Sequence, residues 1–106
     1  MSSYIREALS GKVLAYLDGE YVRNLSGEVL VSIDGNYVRE GVSGGRVLAS
    51  LDGELIREGA SGGSIIASIS DNYIREGTSG GNVMFEVDRY LSNVEKCALA
   101  IAVVMI

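Results

Sequence analysis

Up to about Tyr90 the chain alternates between short runs rich in Val, Ile, Leu and Tyr and polar joints that contain glycine, and the alternation repeats. Units aligned on a (Tyr/Leu)-(Ile/Val)-Arg core begin at Tyr4, Tyr21, Tyr37, Leu55 and Tyr73, spaced by 17, 16, 18 and 18 residues. Self-similarity at a near-fixed period marks a repeat architecture. Each unit holds two runs: YIRE, YVRN, YVRE, LIRE or YIRE first, then KVLAYL, EVLVSI, RVLASL, SIIASI or NVMFEV. Runs this short, built from β-branched and aromatic residues, predict strands rather than helices. The joints are of two kinds. One is Ser-Gly or Ser-Gly-Gly, at Ser10, Ser26, Ser43, Ser61 and Ser79; the other is Asp18-Gly19, Asp34-Gly35 and Asp52-Gly53, with Asp71-Asn72 as a variant. Asp-Gly between strand-like runs is a hairpin signal, because such turns need positive φ angles that glycine takes cheaply, and Asp71 tolerates the left-handed region well enough for its turn to form. The chain therefore reads as ten short antiparallel strands in a meander.

Alternation assigns the faces. With Asp18-Gly19 as a two-residue loop and Leu17 opposite Glu20, Val13, Ala15, Leu17 and Val22 share one face, as do Val47, Ala49, Leu51 and Ile56. This face is expected to be the core, with Ala15, Ala49 and Ala67 allowing close approach. The other face carries Leu14, Tyr16, Tyr21 and Arg23, and later Leu48, Ser50, Leu55 and Arg57.

From Ser92 the pattern changes. Ser92 and Glu95 form a capping-box signature, and Cys97 to Ile106 follows as ten uninterrupted apolar residues. A helix apolar all round needs to be surrounded. It is shorter than the roughly 20 residues that cross a bilayer, so burial is the expectation, either inside a closed ring of hairpins or as a lid across it. Pairing of the first strand with the last would remove the open edges of the meander. The predicted architecture is all-β with one C-terminal helix: one domain over 1–106, with a pseudo-symmetric ring of antiparallel β-hairpin repeats over 4–90, closed or capped by the apolar helix of 92–106.

Composition narrows the function classes. The net charge of −5 disfavours a general nucleic-acid or anionic-membrane binder, which needs a field of Lys and Arg. The chain has no His, which removes the usual neutral-pH base and the commonest transition-metal ligand. Its one cysteine, Cys97, precludes an internal disulfide and fits a reducing compartment. The stretch MSSYIREAL has no apolar region of the secretory kind, and a cytoplasmic location is expected.

The combination IDGNYVREG, then SGG, then VLAS, repeated and followed by an apolar C-terminal helix, resembles the bacterial four-fold beta flower domain. The resemblance spans the chain from Tyr4 to the helix. It implies a small pseudo-symmetric structure of four hairpin petals with no established activity, and it brings no functional residues with it. Four hairpins, around Asp18, Asp34, Asp52 and Asp71, agree with that number. The five (Tyr/Leu)-(Ile/Val)-Arg copies do not, unless the first and last strands complete the ring.

The most regular polar feature is the series Arg6, Arg23, Arg39, Arg57 and Arg75. It reads either as a ring of guanidinium groups for a carboxylate, phosphate or sugar acid, or as a structural ladder. The ladder partners would be Glu7, Glu40, Glu58 and Glu76, or the turn aspartates, and the ladder is the stronger reading because a repeat copies its structural residues. Tyr21, Tyr37 and Tyr73, with Tyr4, invite the same choice between stacking on a ligand and cross-strand packing. Asp18, Asp34 and Asp52, with Glu20 and Glu54, could supply oxygen ligands to Ca²⁺, but turn chemistry alone explains the aspartates and no metal is expected. Ser10-Gly11-Lys12 lacks the upstream glycine, the following hydroxyl and the helix of a phosphate loop. Cys97 has no histidine for a dyad, and no carboxylate pair stands out among equivalent copies. The expected function is a non-enzymatic structural or interaction module without a cofactor, prone to self-association. Two alternatives are a small anionic-ligand or sugar binder using the Arg and Tyr face, and a membrane-associated protein held by its C-terminal helix.

Overall fold

The computed structural model describes residues 3–42, 44–60, 62–77 and 81–105; the expected joint residues Ser43, Ser61 and Ser79 and the last helix residue, Ile106, lie outside them. Ten strands form in the predicted places: β1 (Ser3–Glu7), β2 (Val13–Asp18), β3 (Tyr21–Asn24), β4 (Val29–Asp34), β5 (Tyr37–Glu40), β6 (Val47–Asp52), β7 (Leu55–Glu58), β8 (Ile65–Ser70), β9 (Tyr73–Glu76) and β10 (Val83–Val87). Each pairs antiparallel with its sequence neighbours, and β1 pairs with β10, so the meander closes into a barrel without an edge. Ile5 meets Val87 and Arg6 meets Glu86 across that closure, just as Val22 meets Leu17 and Arg23 meets Tyr16 within the first hairpin. The first and last strands thus make a fifth hairpin equivalent, and the ring has five rather than the four petals that the resemblance implied.

The tight turns have the expected two-residue length but lie one residue further along the chain. Leu17 faces Val22, not Glu20, and Asp18 faces Tyr21, so the loop is Gly19-Glu20. Moving the partner by two residues preserves alternation, which is why Ala15, Leu17 and Val22 still share a face. Only the first loop residue takes a positive φ, +63° at Gly19 and +58° at Asp71, so one left-handed residue suffices where a pair was expected.

The other correction concerns the strand beginnings. At every seam between hairpins the register slips by one residue, for example between Ile5 and Arg6, which face Ala15 and Val13. A bulge of this kind sets two residues against one and breaks the alternation. Leu14, Leu30, Leu48, Ile66 and Met84 consequently join the core packing, while Val13 and Val47, expected inside, stand opposite Arg6 and Arg39. Leu14 and Leu48 were expected on the mixed face.

Helix α1 (Asn93–Val104) opens on the predicted capping box: Ser92 Oγ accepts from Glu95 N, and Glu95 Oε1 accepts from Ser92 N at 2.9 Å. From Cys97 to Ala102 every residue is buried. Because those six positions cover the whole circumference of a helix, the barrel must surround it, and α1 indeed touches β1 to β6, β8 and β10. Twelve residues rise about 18 Å, close to the 22 Å short axis of the 33 × 32 × 22 Å molecule. An eight-stranded barrel is filled by its own side chains, whereas ten strands leave space. Here the helix fills it, and Ala15, Ala49 and Ala67 on the wall and Ala98, Ala100 and Ala102 on the helix keep the fit close. The helix starts at the Asp-Gly rim, where buried Lys96 donates to the Asp71 carbonyl at 2.6 Å, and ends at the Ser-Gly rim, where Met105 lies beside Glu58 and Gly59.

Candidate functional site

The outward side chains form a repeated cell. One residue of each long strand sits between the first residue of the preceding short strand, across a seam, and the arginine of its own hairpin. In register the cells are Tyr21–Ser32–Arg39, Tyr37–Ser50–Arg57, Leu55–Ser68–Arg75, Tyr73–Glu86–Arg6 and Tyr4–Tyr16–Arg23. All eight arginines and tyrosines picked from the sequence lie in this lattice, but distributed around the outside of the barrel. They do not converge on the axis, which the helix occupies.

Among the described residues, four of the five arginines are hydrogen-bonded within the fold. Arg39 Nε donates to Asp34 Oδ2 at 2.8 Å, and its Nη1 donates to the Gly45 carbonyl at 2.9 Å. Arg23 repeats this with Asp18 and Gly27, and Arg57 with Asp52 and Gly63. The side chain therefore ties the Asp-Gly turn at one end of a hairpin to the Ser-Gly loop at the other. Of the two ladders the sequence suggested, this is the one with the turn aspartates. Glu40, Glu58 and Glu76 face Val31, Ala49 and Ala67, so they stand on the opposite side of the strand from the arginines beside them. Arg75 keeps the carbonyl bond, to Gly81 at 2.9 Å, but Ser70 stands where the other copies have aspartate. Arg6 departs further, with its guanidinium 5.9 Å from the Tyr4 ring centre.

The loop glycines make the second half of this clamp possible. A Cβ on Gly45 would stand 1.8 Å from the Glu40 carbonyl oxygen, and Gly63 and Gly81 meet Glu58 and Glu76 in the same way. The chain must pass this close for the glycine carbonyl to reach its arginine.

What occupies the middle of a cell shapes the space above it. Tyr16 fills its own cell and packs on Tyr4, with ring centres 6.3 Å apart and a tilt of 56°. Serine leaves clefts instead. One of about 520 Å³ is lined by Asn36, Tyr37, Ser50, Asp52 and Arg57, and one of about 290 Å³ by Glu20, Tyr21, Ser32, Asp34 and Arg39. A third, of about 200 Å³, lies over Ser68 and Arg75. Ser32 and Ser68 are buried, and their hydroxyls have no hydrogen-bond partner among the described residues. In the fourth cell Glu86 takes the middle and accepts from Asn72 Nδ2 at 3.2 Å, and a cleft of about 380 Å³ lined by Tyr4, Arg6, Asn72, Glu86 and Arg89 remains beside it. Sequence reading found the walls of these clefts and missed their serine floors. The signal was available in the replacement of Tyr16 by Ser32, Ser50 and Ser68 at equivalent positions.

Elsewhere, burial pushes the Cys97 thiol up to about 12, so it stays protonated inside the barrel. Among the described residues no group of three or more His, Cys, Asp or Glu is placed to hold a metal ion, and no helix is long and apolar enough to cross a membrane. The Ser10-Gly11-Lys12 loop leads into strand β2, not a helix.

A family model described as "6-fold beta flower protein" matches residues 5–106. No curated protein and no solved structure matches the chain.

Proposed function

We propose that this chain, which belongs to the 6-fold beta flower family, is a non-enzymatic structural module that self-associates through its Ser-Gly rim. The beta flower name agrees with the resemblance read from the sequence. The number in it does not: the resemblance suggested four, the family description says six, and the ten strands of this chain make five hairpin equivalents.

One observation carries the reading. The Ser-Gly loops of an up-and-down barrel all lie at one end, and there the loop residues Leu9, Leu25 and Val42 are 99 %, 60 % and 60 % exposed. Val104 and Met105, at the emerging end of the helix, are exposed beside them. Apolar side chains gathered on one rim mark a contact surface. The reading favours a second copy as occupant, because a two-fold axis lets the same apolar rim residues of two copies cover one another. An anionic lipid surface fits poorly, since the exposed Glu7, Glu28, Glu40, Glu58 and Glu76 outnumber Lys12 and Arg46 at this end.

Light scattering after size exclusion, without detergent, tests this on the intact chain. A dimer is expected that strengthens as salt screens the facing glutamates and reverts to monomer in the Leu9→Ser, Leu25→Ser double variant. A monomer at every concentration and salt would overturn self-association. So would a dimer indifferent to the double substitution.

A further inference from the structure

The geometry points to the serine-floored clefts on the barrel wall as binding sites for neutral sugar residues, with the Tyr37–Ser50–Arg57 cleft as the principal one. This stands apart from the rim contact, which involves other residues.

The cleft offers one ring face and a balanced set of hydrogen-bonding groups. Tyr37 is 38 % exposed and presents its ring at the wall. Around it stand the Asn36 amide, the Ser50 hydroxyl, the Asp52 carboxylate and the Arg57 guanidinium. A sugar ring matches this pattern, with C–H groups on one face for the aromatic ring and hydroxyls around its edge that both donate and accept. Charge decides between a neutral ligand and the anion that a series of arginines first suggests. Arg57 is already neutralised by Asp52 at 2.9 Å, and Arg39 by Asp34 at 2.8 Å. The smaller cleft adds Glu20, so an anion entering there would meet more negative charge than positive. A neutral hydroxyl carries no such cost, and it can still bond to both members of an ion pair.

Two further observations separate these cells from accidental gaps. The floor hydroxyls of Ser32 and Ser68 have no hydrogen-bond partner among the described residues and are sealed beneath their cells, so each is an unmet bonding demand that a bound sugar reaches once the overlying side chains part. The chain also carries its own closed version, in which Tyr16 sits at the serine position and packs on Tyr4. The fold thus tolerates a filled cell and keeps others open. Adjacent cells are two strands apart, roughly 10 Å along the wall by ordinary strand spacing. A linked sugar residue spans about half that distance, so alternate residues of one oligosaccharide, as in a trisaccharide, match the Tyr21 and Tyr37 cells together. The volume of the larger cleft, about 520 Å³, is in the range of small-molecule sites.

The test is a two-dimensional NMR titration of the intact chain, following backbone amides and arginine Nε–H signals. The probes are glucose, galactose, mannose, N-acetylglucosamine, cellotriose and maltotriose, with inorganic phosphate and citrate as anionic controls. Saturable shifts are expected at Tyr37, Ser50 and Arg57 with at least one neutral sugar, larger than those with either anion. Tyr37→Ala should weaken that binding by roughly tenfold, the scale of one aromatic contact. Ser50→Tyr, which copies the cell the chain already fills at Tyr16, should abolish it while leaving the remaining spectrum folded. Absence of saturable shifts across the sugar panel would overturn the inference. Stronger binding of phosphate or citrate at the same residues would also overturn it, as would sugar binding that survives Ser50→Tyr in a folded protein.

Discussion

Arg39 and Arg75 form an internal comparison that dissects the clamp. Arg39 bonds both the Asp34 carboxylate and the Gly45 carbonyl, whereas Arg75 bonds only the Gly81 carbonyl because Ser70 replaces the aspartate. The Arg39 side chain is 29 % exposed and that of Asp34 60 %, so their ion pair belongs in the exposed range of about 0.2–1 kcal/mol. The carbonyl bond is part-buried and charge-assisted, and contributes about 1 kcal/mol. Arg39→Ala should therefore cost about 1–2 kcal/mol, and Arg75→Ala about 1 kcal/mol. Urea denaturation read by circular dichroism measures both, with thermal midpoints falling by about 4 °C per kcal/mol for a domain of this size. High salt should shrink the Arg39 cost towards that of Arg75 while leaving Arg75 unchanged. Lysine should not rescue Arg39, because a single ammonium cannot bridge two acceptors at opposite ends of a hairpin as the guanidinium fork does. Equal costs at both positions, insensitive to salt, would refute this division. Costs near zero at both would refute the clamp itself and return the arginines to the candidates for ligand binding.

Three further outcomes follow from the same geometry. Gly45→Ala should cost about 1–3 kcal/mol, since the new methyl would meet a backbone oxygen 1.8 Å away; Gly53→Asp, at a φ of +63° in open space, should cost less because Asp71 already holds that conformation at φ +58°, and chemical denaturation ranks the two. Leu99→Ala, in the helix segment enclosed by the barrel, should cost about 2–5 kcal/mol by the same assay, whereas a helix lying as a removable lid would lose far less. Burial raises the Cys97 thiol from 9.0 to about 12, so between those values the folded chain holds a proton that the unfolded chain releases. This contribution to stability is intact below pH 9.0 and is lost as pH rises towards 12, at up to about 1.4 kcal/mol per pH unit, and denaturation across that window should show a shallower fall in Cys97→Ala.

Local chemistry in the chain determined the elements and their order. The Asp-Gly joints fixed tight turns, the β-branched runs became strands, and Ser92 with Glu95 capped a helix whose uninterrupted apolar sequence required enclosure. The even displacement at Leu17–Val22 left the faces of the hairpins intact, so Ala15, Val22, Ala49 and Ile56 were legible as core. Three things depended on the closed tertiary structure. The seam bulges turn Leu14 and Leu48 inward and Val13 and Val47 outward, and a local run such as Val-Leu-Ala carries the same alternation with or without a bulge. The place of the helix follows from the width of a ten-stranded ring, which no single repeat encodes. The clefts arise only when three strands from two hairpins lie side by side, for then a small Ser32, Ser50 or Ser68 between a guanidinium and Tyr21, Tyr37 or Leu55 leaves space that Tyr16 fills elsewhere. Strand formation is a property of neighbouring residues, whereas register, enclosure and cavity depend on which strands the closing of the barrel brings together.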